Sequence, residues 1–122
     1  ICQVIRFNAN NKPLRQAAFP QYEVPEAKKR YAQIAHTLYL GDEKTSEDER
    51  VDLLIKAVAK LKEDIGIPYS IKAYGIDEKT FTQNLDKLAL SAFDDQCTGA
   101  NPVYPMVDEI KQIYMNAFEG IY

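Results

Sequence analysis

The chain has 122 residues, enough for one domain of ordinary size and too few for a dinucleotide-binding domain beside a separate substrate domain. Apolar residues make up 46% and charged residues 27%, the mix of a folded globular chain rather than a disordered one. A net charge of −3 creates no field for a polyanion, so nucleic acid is not an expected partner, and no apolar run approaches the ~20 residues of a membrane span.

Residues 1–9 predict the end of a helix. Its apolar start, Ile1-Cys2-Gln3-Val4-Ile5, has no capping side chain before it, so its first amides would lack partners. The expectation is a helix that begins further upstream, with a processed start as the alternative. Asn10, Asn11, Pro13 and Pro20 make 10–24 an extended connection, with Phe19 and Tyr22 pinned to the core. A helix follows from about Pro25 to Gly41, with Ala27, Tyr31, Ile34, Ala35 and Leu38 on one face and a Glu26–Arg30 pair at i,i+4.

Ser46 and Glu49 have the spacing of a capping box, and the helix behind them runs to about Asp64. Leu53, Leu54, Ala57, Val58, Leu61 and Ile65 give it an apolar stripe, and Gly66 with Ile67-Pro68 stops it. Ser70 and Gly75 bracket a single helical turn. Asp77 caps a helix carrying Phe81, Leu85, Leu88, Ala89, Ala92 and Phe93. After a loop over 95–104 the last helix starts near Pro105 with Val107, Ile110, Ile113, Tyr114 and Ala117. No segment alternates like a strand. The expected fold is all-α, a bundle-like domain over 1–122 with four main helices and the end of a fifth.

Most candidate functional groups have a plain structural reading. His36 is the single histidine; its i±4 neighbours, Ala32 and Leu40, cannot bind metal, so a surface or boundary position is expected. Glu47-Asp48-Glu49 complements a helix N-terminus. The five glycines are at least nine residues apart, so no glycine-rich loop cradles a phosphate. The eight tyrosines are expected to pack in the core with bonded hydroxyls. Cys2 and Cys97 read as free thiols of a reducing compartment, which makes the expected location cytoplasmic.

The segment Phe93-Asp94-Asp95-Gln96-Cys97-Thr98-Gly99-Ala100-Asn101-Pro102 stands apart. Two aspartates at a helix C-terminus are disfavoured by the macrodipole and need backbone amides or a basic partner. A thiol, a hydroxyl, a glycine and an amide follow within five residues. Two readings stay open: a loop that bonds to itself through Asx turns, and the lining of a cleft. Cys97 has no histidine in sequence reach, which argues against a papain-like nucleophile.

Several words of the sequence resemble the C-terminal part of the bifunctional aldehyde-alcohol dehydrogenases. They are Val4-Ile5-Arg6-Phe7-Asn8-Ala9, Ala18-Phe19-Pro20-Gln21-Tyr22, Arg30-Tyr31-Ala32-Gln33-Ile34-Ala35, Ile65-Gly66-Ile67-Pro68, the run from Ala92 to Pro102 with Tyr104-Pro105, and Glu109-Ile110-Lys111-Gln112-Ile113. The resemblance spans essentially the whole chain. It implies a parent in which an acylating aldehyde dehydrogenase reduces acetyl-CoA to acetaldehyde with NADH and an iron-dependent alcohol dehydrogenase reduces that to ethanol. There Fe(II) acts as a Lewis acid on the aldehyde oxygen while the nicotinamide delivers hydride. This chain corresponds to the helical domain of the second module, and the parent assembles into filaments.

The family's iron ligands, one aspartate and three histidines, and its NAD pyrophosphate loop have no counterpart in these 122 residues. The resemblance therefore implies no catalytic, metal or cofactor residue here, and an isolated chain without activity. It implies that Cys97, Thr98, Gly99 and Asn101 line the substrate cleft, with Cys97 as lining and not nucleophile. The family often has arginine where this chain has Val103. The implied partner is the nucleotide-binding domain of the same parent, with a homo-oligomer or filament beyond it. The alternatives are a helical assembly module and a free-standing helical binding protein. Docking on a partner predicts an exposed apolar patch.

Overall fold

The structure, a computed structural model, describes residues 1–10 and 26–122. The expected extended connection, with Phe19, Tyr22 and the helix start at Pro25, lies outside the described residues apart from Asn10. Among the described residues every regular element is helical: α1 Cys2–Asn8, α2 Ala27–Thr37, α3 Glu47–Asp64, α4 Ile71–Tyr74, α5 Glu78–Phe93 and α6 Val107–Glu119, with a 3₁₀ turn Thr98–Ala100 between the last two. The all-α expectation and the order of helices match this architecture.

Local chemistry sets the boundaries. The Ser46 hydroxyl accepts from the Glu49 amide at 3.3 Å, and the Glu49 carboxylate accepts from the Ser46 amide at 2.9 Å, so two otherwise unpaired donors of α3 are satisfied. Ser70 accepts from the Ala73 amide to start α4, and Gly75, at φ +110°, ends it. Asp77 accepts from the Thr80 amide to start α5. Helix α2 ends at Thr37, before the expected Gly41, because Tyr39 turns into the left-handed region at φ 57° and breaks the helical ladder. Glu26 pairs with Lys29 at 3.8 Å instead of with Arg30.

The centre is built where α1 crosses α3. Cys2 and Ile5 of α1 pack on Val51 and Ile55 of α3, flanked by Ala9, Tyr31, Val58 and Ala59. Helix α2 lies along α3 through small residues, with Ala27, Ala32 and Ala35 buried. Helices α5 and α6 pair through Phe81 and Phe118, whose rings stack with centroids 4.3 Å apart. The expected stripes need correction at their edges. Ile34, Leu38, Leu61, Ile65 and Leu88 are exposed. Leu61, in the last turn of α3, and Ile65, its C-cap, lie outside the cluster that α1 and α3 build.

Three hydrogen-bonded carboxylates, in the turn before α3 and at the starts of α3 and α5, make stability depend on pH. Hydrogen bonds from the Thr45 hydroxyl to Asp42, from the Ser46 hydroxyl to Glu49 and from the Thr80 side chain to Asp77 hold these three groups below the usual carboxylate range. A depressed folded pKa means that the unfolded chain takes up protons first as pH falls. The contribution is complete above the unfolded pKa and is lost as pH drops through the folded one. We expect the melting temperature to be level above pH ~5.5 and to fall progressively below pH ~4.5, with a shallower fall for Thr45→Val. Melts by circular dichroism across pH 2.5–7 (an approximate window) check this, and a midpoint that ignores pH would contradict it.

Candidate functional site

Helix α5 ends at Phe93, and the chain leaves it through the acidic pair Asp94-Asp95. The Asp95 carboxylate accepts from the Cys97 amide at 2.7 Å, so the local backbone holds one of the two carboxylates that the macrodipole disfavours. The 3₁₀ turn follows. Thr98, its first residue, donates its hydroxyl to the Ala92 carbonyl at 2.5 Å and so fastens the turn to the last turn of α5. Phe93 and Tyr104 close the base of the loop, their rings tilted with centroids 5.7 Å apart.

The four expected cleft residues are thus brought into one short loop, but they do different things. Cys97 is exposed and is a free thiol. Thr98 and Gly99 are half-buried, and the Thr98 hydroxyl is spent on the backbone. Asn101 is half-buried and makes the loop's long-range bonds. Its Nδ2 donates to the Asn8 Oδ1 at 2.6 Å and to the Val103 carbonyl at 2.6 Å, and its Oδ1 accepts from Asn8 Nδ2 at 3.0 Å. Val103 is 2% exposed and serves the site through its carbonyl.

Asn8 was not among the expected site residues. It is 4% exposed at the end of α1 and also donates to the Tyr31 hydroxyl at 3.4 Å. An asparagine near a helix end carries no signal of a partner 93 residues away, so the sequence had no means to mark it. His36 is exposed, as expected for a surface histidine. Cys2 is buried and free, its thiol 3.9 Å from the Ile55 carbonyl. Ala59, Ile67, Pro68, Tyr69 and Tyr122 line an open groove of about 610 Å³ beside Lys60 and Glu63.

The profile of the Fe-containing alcohol dehydrogenase family, C-terminal, matches residues 1–118. The chain belongs to this family. It is 47% identical over 120 residues, 98% of its length, to the bifunctional aldehyde-alcohol dehydrogenase of Escherichia coli K12. It is 46% identical over 117 residues, 96% of its length, to the aldehyde-alcohol dehydrogenase of Clostridium acetobutylicum. An NADPH-dependent butanol dehydrogenase of Clostridium saccharobutylicum is 37% identical over 91 residues, 75% of this chain and 23% of that protein. The chain spans 14% of the first relative and 13% of the second.

Membership raises the question of iron. Among the described residues no group of three or more His, Cys, Asp or Glu side chains is placed to hold a metal ion. The described donors do not by themselves form an iron site. No described helix is long and apolar enough to cross a membrane.

Proposed function

We propose that this domain forms one wall of the substrate cleft in the alcohol dehydrogenase module of a bifunctional enzyme that takes acetyl-CoA to acetaldehyde and on to ethanol, using NADH and iron carried outside these residues. The observation that supports it is the combination of family membership over nearly the whole chain with a braced loop that presents Cys97 outward. The domain's own contribution is to exclude water and to shape the pocket. Two bonds to backbone, Asp95 to Cys97 and Thr98 to Ala92, fix the loop's form, so its exposed groups meet a substrate without reordering. The exposed apolar residues Leu61, Ile65, Ile67 and Tyr69 suit docking on the nucleotide-binding domain of the same parent in the cytoplasm.

The test is a size filter. In the complete enzyme, Cys97→Phe should narrow the cleft and raise KM for butanol roughly tenfold more than KM for ethanol, since one or two methylenes are worth about that much in an apolar pocket. The acylating reaction should be unchanged, and the isolated 122-residue chain should oxidise no alcohol. Equal kinetics for both alcohols in wild type and variant would refute the wall assignment, and turnover by the isolated chain would refute the division of labour.

A further inference from the structure

The bonds inside the loop give it a shape but not a place. Asp95–Cys97 and Thr98–Ala92 each join residues no more than six apart in sequence. The Asn8–Asn101 pair joins residues 93 apart and ties the loop to α1. Its donor count is complete. Each side-chain amide has two N–H groups. Those of Asn8 go to Asn101 Oδ1 and the Tyr31 hydroxyl, and those of Asn101 go to Asn8 Oδ1 and the Val103 carbonyl.

Such a closed pair has one arrangement. Each amide donates to and accepts from the other, so a sliding or rotated loop would strand a buried donor and acceptor together. Tyr31 adds a contact from α2 that fixes the plane of the Asn8 amide. Asparagine is the residue that fits. Aspartate has the shape but lacks the donor, and alanine has neither group.

We infer that Asn8 is the positioning residue of the 95–101 loop: its reciprocal amide pair with Asn101 sets where the loop stands relative to α1. The consequence for catalysis rests on the proposed reading that this loop lines the alcohol cleft. A shift of about 1 Å in a lining loop is enough to weaken substrate binding measurably.

The test uses the complete enzyme with Asn8→Ala, Asn8→Asp, Asn101→Ala and the Asn8→Ala/Asn101→Ala double variant. Hydrogen exchange followed by mass spectrometry reads the peptide covering 95–103, with peptides from α3 as the reference. Steady-state kinetics read KM for ethanol and for NAD. We expect exchange in the loop peptide to quicken at least tenfold or so while α3 stays protected. KM for ethanol should rise about fivefold with KM for NAD unchanged. The double variant should cost less than the sum of the two alanine singles, because the pair is lost only once.

Unchanged exchange in the loop would overturn the inference. So would exchange that quickens equally in α3, since that marks general loosening. Faster loop exchange with an unchanged KM for ethanol would uphold Asn8 as the positioning residue and instead overturn the reading of the loop as cleft wall.

Discussion

Ile55→Ala is expected to lower the stability of the domain by about 2–5 kcal/mol, the range for removing a buried isoleucine side chain beyond its Cβ and leaving a cavity. Ile55 is 1% exposed and stands where α1 meets α3, touching the cluster of Cys2, Ile5 and Val51. The loss is not confined to α3. Cys2 and Ile5 of α1 pack in the same cluster, so the placement of α1 depends on it. Loosening α1 also loosens Asn8, and with it the placement of the polar loop. The control lies on the same helix. Leu61 is 58% exposed, and Leu61→Ala should cost less than ~0.5 kcal/mol. Urea denaturation of both variants separates the cases, and similar midpoints would show that the core does not lie at the α1–α3 crossing.

The same pair of residues shows how far the sequence could be read. Local devices were legible because their partners sit within four residues: the Ser46–Glu49 box, the Ser70 and Asp77 caps and the Gly75 stop. The period of α3 was legible too, and Leu54 and Val58 of the expected stripe do reach the core, but the edges of its buried face were not. The expected stripe was Leu53, Leu54, Ala57, Val58, Leu61 and Ile65, whereas the buried residues are Val51, Leu54 and Ile55. Periodicity marks an apolar side without saying which neighbour covers it. Here α1 arrives from 46 or more residues away in sequence and pulls burial toward Val51 and Ile55.

The loop repeats that lesson at the site. Its density of polar groups was visible, and its Asx and threonine bonds are local. The Asn8 partner was not visible, because pairing of two amides across the fold leaves no trace in spacing. Phe118 was missed for the same reason. Its importance comes from the Phe81 ring stacked on it from α5.

Gly120→Ala should cost about 2–4 kcal/mol, and the sum has two separable parts. Gly120 ends α6 at φ +79°, where a side chain costs about 1–2 kcal/mol in backbone strain. The added Cβ would also stand 2.6 Å from the Tyr69 ring and 3.3 Å from Ser70 Cβ, so the turn leading into α4 would have to move. Gly75 isolates the first part. It too has a positive φ, +110°, but nothing lies within 4 Å of a Cβ placed there. The excess of Gly120→Ala over Gly75→Ala therefore measures the contact with Tyr69 and Ser70. Tyr69 is 65% exposed and can swing aside, so Tyr69→Ala in the Gly120→Ala background should recover most of that excess, leaving the backbone strain. The consequence reaches α1, because Gln3 donates to the Ile121 carbonyl at 3.1 Å, one residue past the altered position. Denaturation of Gly75→Ala, Gly120→Ala, Tyr69→Ala and the Tyr69→Ala/Gly120→Ala double variant gives the cycle directly. Equal losses at Gly75 and Gly120 would mean that the end of α6 closes without pressing on the α4 turn.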